Sequence, residues 1–345
     1  MACQCCGAVQ KPITKSWLCA VEQIYADYEI YSQGGGDEQY TFDQSAGASE
    51  TRSKKIIEWL MTEHVPAEAG KLIDIGCGNG AFLRAFGARN QKWQMTGLEL
   101  NSRNQRVVES IPGVVGLHMG SIESIQDRFD MIVLIHTLEH IPNPVRFLGS
   151  LTKLLNPEGL LLIEVPDMKV SPFDILIADH CTHFTADILQ EVVAFSGFEL
   201  LAVRTDFIPK ELSLLAQYTG RNGRKRISEP QIKERFSGAG AKVAGAHIAW
   251  LRNLLQQGQQ VEGQIGIFGT SIAATWLAAS LGDKAAFFVD EDINRIGRRH
   301  LSRPIYHPAH VPNDTKIVVP MRADIAVAIA KRYQELAYKF ILPSV

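Results

Sequence analysis

Two groups of residues in this chain have types and spacings that can do chemistry. The first is Asp74, Gly76, Gly78 and Gly80, within the stretch LIDIGCGNGAFL at 72–83. An apolar run ends in an acid, three alternate glycines follow, and Ala81, Phe82 and Leu83 open a helical pattern. The order predicts a buried parallel strand, a tight turn and a helix N-terminus. Glycine lets the backbone approach a ligand where a Cβ would clash. The first helical turn then presents unpaired N–H groups to that ligand. The chemistry expected is binding of a nucleotide-type cofactor. Glu99 ends a second strand-like run, MTGLELN, about 20 residues on, where an acid grips ribose hydroxyls. Leu100, next in the chain, belongs with that contact. Gly76-x-Gly78-x-x-Ala81 also satisfies the loose dinucleotide pattern.

The second group is Asp179-His180-Cys181-Thr182-His183-Phe184. The nucleophile in methyl transfer from a sulfonium must lose a proton at or before attack, and a histidine can take it near neutral pH. His180 is the expected base and Asp179 the carboxylate that orients its ring. His183-Phe184 is expected to cap and pack the next helix. His136 stands at the carboxyl end of the apolar run 129–135, where open α/β sheets bind ligands, so it is expected to line the same site.

A third set is cysteine. Cys3, Cys5, Cys6 and Cys19 crowd the N-terminus, and Cys3-x-x-Cys6 has the spacing of a zinc knuckle. Glu22 stands where a second C-x-x-C would place its last thiolate after Cys19. A zinc ion on Cys3, Cys6 and Cys19 is one expectation and a metal-free cluster of thiols the other.

The elements that must position these groups follow in order. Residues 50–64 carry an amphipathic pattern through Ile56, Ile57, Leu60 and Met61, ended by Pro66. Further strands are expected at 113–118, 129–135 and 160–165, the last two near-continuously apolar and so buried on both faces. Residues 209–261 read as a polar, helix-rich connector. GQIGIFGTSIAATWLAASLG then repeats the strand–glycine–helix logic, and FFVDED and TKIVVP supply further strands. The tyrosines at 25, 28, 31 and 40, with Gly34-Gly35-Gly36, precede the glycine loop and suit a lid.

Bulk properties bound the function. A chain of 345 residues suggests two or three domains. A net charge of −2 argues against a nucleic-acid footprint. No apolar stretch approaches about 18–20 residues, so no membrane partner is expected, and the start lacks an apolar signal core. A cytoplasmic protein with reduced cysteines follows.

The order D-x-G-x-G-x-G, MGSIESI at 119–125, FDMIVLIHTLEHIPNP at 129–144, LLNPEGLLLIEVPD at 154–167 and HFTADILQEVVAFSGFELL at 183–201 resembles the class I S-adenosylmethionine (SAM)-dependent methyltransferases. The resemblance covers 50–205. It implies that Asp74, Gly76, Gly78 and Gly80 cradle the methionine end of SAM and that Glu99 binds its ribose. Ser121 and Ile122 would then meet the adenine, with Ser121 standing where the family often has an acid. A cysteine-rich start, a central methyltransferase and a C-terminal Rossmann-like part together resemble the three-part C-methyltransferases of nucleotide-linked deoxysugars. These carry an E-H-x-x-Y-F-like motif, which again makes His180 the base and Asp179 the acidic residue. Ile177 occupies the place of that family's tyrosine. The implied fold is α/β: a cysteine-rich segment (1–49), a methyltransferase domain (50–208), a helical connector (209–261) and a smaller Rossmann-like domain (262–345). The implied activity is methyl transfer from SAM to a small polar acceptor, a nucleotide-linked sugar. O- or N-methylation of another small molecule, an NAD-dependent oxidoreductase and a non-catalytic SAM-binding protein fit the same residues.

Overall fold

A computed structural model of the protein describes residues 1–3, 7–27, 40–42, 49–64, 67–220 and 238–343. The strands are β1 (Val9–Gln10), β2 (Tyr40–Phe42), β3 (Ser49–Thr51), β4 (Lys71–Ile75), β5 (Gln94–Glu99), β6 (Val114–Met119), β7 (Phe129–Ile135), β8 (Leu155–Pro166), β9 (Thr182–His183), β10 (Phe198–Arg204) and β11 (Glu211–Tyr218). Six more lie toward the C-terminus: β12 (Ile265–Phe268), β13 (Ala285–Val289), β14 (Arg299–His300), β15 (Arg303–Tyr306), β16 (Lys316–Val318) and β17 (Lys339–Ile341). The helices are α1 (Lys15–Asp27), α2 (Arg52–Glu63), α3 (Ala81–Arg89), α4 (Gln105–Glu109), α5 (Pro144–Leu151), α6 (Ala186–Phe195), α7 (Ala239–Gln260), α8 (Ile272–Leu281) and α9 (Ala323–Arg332). The chain forms two compact units, Met1–Asp174 with Ala178–Lys242, and Ile175–Ile177 with Val243–Val345.

The first unit is built on a seven-stranded sheet in the order β10-β11-β8-β7-β4-β5-β6. β4 pairs in parallel with β5 and β7, β5 with β6, and β7 with β8. β11 runs antiparallel between β8 and β10. The apolar runs set this arrangement, because successive side chains of a strand point to opposite faces. Leu72 enters one core with Leu83, Phe86, Met95 and Met131. Ile73 enters the other with Ile132, Ile163, Phe184 and Leu189. Helices therefore cover both faces, as a parallel sheet requires. Strand order reverses between β4 and β7, and ligands of such sheets bind outside the carboxyl ends at that point.

Three expectations shift. The fifth strand is longer than 160–165: β8 begins at Leu155, opposite Phe129, and absorbs Glu158 at φ +63° as an irregularity in the ladder. Residues 209–261 are not all connector, because β11 inserts into the central sheet. Its Leu212, Leu214 and Ala216 join one core and Leu215 the other. α2 stops at Glu63, where His64 N–H donates to Leu60 O at 2.8 Å; Pro66 lies outside the described residues. Tyr28, Tyr31 and the glycine triplet of the expected lid also lie outside them.

The second unit holds a six-stranded sheet in the order β14-β15-β13-β12-β16-β17, parallel except for the β14–β15 pair. Gly269 (φ +82°) makes the turn between β12 and α8. Ala274, Leu277 and Ala278 of α8 pack with Ile265, Ile267 and Phe288. The fold is thus mixed α/β, with a central Rossmann-like sheet and a further sheet toward the C-terminus. No described helix is long and apolar enough to cross a membrane.

Candidate active site

The glycine loop leaves β4 and enters α3 through three left-handed residues, Gly76 (φ +77°), Gly78 (φ +56°) and Gly80 (φ +77°). A Cβ on Gly76 would sit 2.4 Å from Thr137 Oγ1, and one on Gly80 would sit 2.5 Å from Ile111 Cδ1. Both conformation and space therefore demand glycine here. Gly76 N–H donates to Leu98 O at 2.8 Å, which pins the loop to the end of β5. Glu99 then braces it: Oε1 accepts from Gly78 N–H at 2.6 Å and Oε2 from Leu100 N–H at 3.1 Å.

Asp74 lies beneath this loop, 2% exposed. Its Oδ1 is buried without a hydrogen-bond partner among the described residues. Burial, reinforced by the Glu99 charge, pushes its carboxyl up to about 8. An orphaned buried acid beside a glycine cradle fits a cationic ligand group such as the ammonium of SAM's amino-acid end. Ser121 is exposed and Ile122 buried at the start of the turn after β6. His136, at φ +50°, follows β7. The expected cofactor residues thus stand at the carboxyl ends of four neighbouring strands, β7, β4, β5 and β6.

Next to this cradle lies a buried cluster of histidines and carboxylates. Thr137 Oγ1 donates to Ile75 O at 2.8 Å, tying the turn after β7 to the glycine loop. In that turn His136 Nδ1 meets Glu139 Oε1 at 3.1 Å. Cys181 N–H donates to Glu139 O at 2.9 Å, which brings the 179–184 segment alongside. The His140 and His180 rings meet edge to face, with centroids 4.7 Å apart.

The carboxylate on His180 corrects the sequence expectation. Asp174 takes that place, with Oδ1 2.6 Å from His180 Nδ1. Its Oδ2 is 2.5 Å from His183 Nδ1. Asp179 instead faces His140, Oδ2 to Nδ1, at 3.1 Å. Burial drives the Asp174 carboxyl up, but the two histidine bonds outweigh it and hold the group at about 2. Burial likewise opposes charge on His140, yet Asp179 and Glu139 leave it above the usual imidazole range. His183 and Phe184 are both buried; Phe184 packs with Ile188 and Leu189 of α6, whereas His183 does not cap that helix and turns its Nδ1 to Asp174.

The N-terminal segment braces the same strand. Val9 pairs with His183 and Gln10 with Thr182 across β1 and β9. Lys11 N–H donates to Cys181 O at 2.9 Å, and Trp17 Nε1 to Ala178 O at 2.9 Å. Cys3 and Cys19 are exposed, and Cys6 lies outside the described residues.

Two further partners were absent from the sequence reading. Glu164, fully buried on β8, lies 3.4 Å from Arg52 Nε and accepts from Ser213 Oγ at 2.9 Å. Glu211 lies 3.6 Å from His136 Nε2. Burial first and the Glu211 charge second raise the Glu164 carboxyl to about 8. Among the described residues, Glu139–His140–His180 and His136–Glu164–Glu211 have the spacing to hold a metal ion. In the second group the Arg52 guanidinium already supplies the compensating charge.

Residues 48–203 match a protein family described as a methyltransferase domain. The chain is 27% identical over 173 residues to the C-methyltransferase NovU of Streptomyces niveus, covering 46% of this chain and 40% of that protein. It is 27% identical over 120 residues to a ubiquinone biosynthesis O-methyltransferase of Idiomarina loihiensis, covering 32% of this chain and 49% of that protein. The chain therefore spans less than half the length of either curated relative. Among solved structures it is similar to CalO1, a methyltransferase in calicheamicin biosynthesis in its SAH-bound form, at 20% identity and a TM-score of 0.39, covering 48% of this chain and 53% of that one. The glycine cradle, the strand order and the family match agree: residues 48–203 match a methyltransferase domain, and this part of the chain resembles the class I SAM-dependent methyltransferases.

Proposed function

We propose that this chain transfers the methyl group of SAM to a carbon of a nucleotide-linked sugar, with His180 as the base. The observation that carries the reading is the juxtaposition of a glycine cradle over Asp74 with a carboxylate-held histidine pair, linked by the turn Thr137–His140. SAM supplies an electrophilic methyl on a sulfonium. The residues of this chain do the rest. Asp74, Gly76, Gly78 and Gly80 hold the amino-acid end, Glu99 with Leu100 the ribose, and Ser121 with Ile122 the adenine. The acceptor's proton passes to His180, and the electron pair it leaves forms the bond to the methyl carbon. The carbon–sulfur pair stays on sulfur. Asp179, through His140, acts on the same cluster from its other side. A zinc ion on Cys3, Cys6 and Cys19 would stiffen the segment that pairs with the base-bearing strand.

The similarity to ubiquinone O-methyltransferases supports a second reading, in which a hydroxyl is the acceptor. One experiment addresses both. The purified chain is titrated calorimetrically with S-adenosylhomocysteine (SAH), and a panel of nucleotide-linked sugars is then incubated with deuteromethyl-SAM and read by mass spectrometry. Micromolar one-to-one binding, weakened by Glu99→Ala, is expected, with the label on a sugar carbon. Label on oxygen favours the second reading, and absence of SAH binding refutes both.

A further inference from the structure

We propose that Asp174 is a positioning residue of the transfer: its single carboxylate holds His180 and His183 together, sets the tautomer of both, and leaves Nε2 of His180 as the proton acceptor. The inference rests on the reading of His180 as the base, and adds the group that would make it one. The sequence offers Asp179 for that task. The geometry assigns it to a residue six positions upstream of His180 that no motif marks.

Each Asp174 oxygen faces one Nδ1, at 2.6 Å for His180 and 2.5 Å for His183. An ionised carboxylate only accepts, so each imidazole must carry its proton on Nδ1 to make these bonds. A neutral imidazole protonated there has its lone pair on Nε2. No described residue forms a hydrogen bond with His180 Nε2, so that nitrogen is left for a substrate proton. Asp174 is 2% exposed, which excludes water as a competing partner and strengthens both bonds.

Sharing has a second consequence: one carboxylate holds both rings, so a change at Asp174 reaches both. The charges facing this pair come from several elements. Glu139 and His140 on the turn after β7 and Asp179 on the segment itself act on His180, while Lys11 on the N-terminal segment and Glu211 on β11 act on Asp174. Among the described residues, Asp174 is the group that hydrogen-bonds both rings.

The test uses the full chain with ¹⁵N-labelled histidine, His180→Gln and His183→Gln serving to assign signals. At pH 8.5, above the ordinary imidazole value of about 6.5, two-bond ¹⁵N–¹H spectra should place both protons on Nδ1. Asp174→Asn keeps the shape but offers one acceptor and one donor, so one of the two rings should switch its proton to Nε2. With an acceptor that turns over, kcat should fall roughly 100-fold or more, while the SAH dissociation constant stays within twofold. A wild-type His180 protonated on Nε2, unchanged tautomers in Asp174→Asn, or turnover within threefold of wild type would each overturn the proposal. Unaltered SAH binding by the variant shows that it is folded. If wild type methylates no acceptor, the methyl-transfer reading fails, and the tautomers still decide whether Asp174 clamps the pair.

Discussion

Asp74 should make the proposed cofactor site a proton-releasing site. Its carboxyl stands at about 8 rather than 3.8 because it is buried and faces Glu99. At pH 7 roughly nine in ten free molecules then carry the proton. A cofactor ammonium placed against Asp74 favours the ionised form and drives that proton off. SAH binding should release about 0.9 proton at pH 7 and only about 0.1 at pH 9, where the free group is already ionised. Calorimetry in phosphate and in Tris reads this directly, since the difference in heat scales with the protons handed to buffer. Asp74→Asn should abolish the difference and weaken SAH roughly 10- to 150-fold, the value of a charge-assisted bond of about 1.5–3 kcal/mol. Folding carries the same signature. A carboxyl raised in the native state makes the native chain bind more protons than the unfolded one between pH 3.8 and 8. Stability therefore falls as pH rises through that window, by on the order of 5 kcal/mol at most, and Asp74→Asn should flatten the slope. Equal binding heats in the two buffers at pH 7 would refute the reasoning, because they would mean that Asp74 is ionised before the ligand arrives.

Two further outcomes test the surroundings. Gly76→Ala forces a side chain into a left-handed residue at φ +77°, with its Cβ 2.4 Å from the Thr137 oxygen that bonds Ile75. The conformation alone costs about 1–2 kcal/mol, so SAH affinity should drop at least roughly tenfold in calorimetry, and unchanged affinity would exclude the cradle. For the N-terminal cysteines, protein purified without chelator should contain one zinc per chain by plasma mass spectrometry. Cys3→Ser should remove it, and metal-free wild type would leave the thiol reading in its place.

What the sequence made legible and what it hid divide along a physical line. β4, β7 and α3 could be read because burial on both faces writes itself as local apolar runs, and the left-handed turn as glycine. β11 could not. ELSLLAQY is stabilised by β8 and β10, whose pairing residues lie up to 57 positions away, and its polar flanks look like connector. The same holds for side chains. Asp179 is adjacent to His180 in the chain, but adjacency fixes only where the backbone goes. Its carboxylate turns to His140, while Asp174 reaches His180 because the chain folds back on itself between them. Arg52 on Glu164 is a pairing across more than a hundred residues.

These hidden partners are all ionisable groups placed where water is scarce. In such a place a group keeps its charge only if another group answers it, and the answer comes from whichever element the fold brings near. A motif can therefore announce which residue does chemistry, since that residue must be of one type. It is much less able to announce the partner, since any acid at the right point in space will serve. Asp174 serves two histidines at once, and for that reason its substitution should reach further into the cluster than that of Asp179.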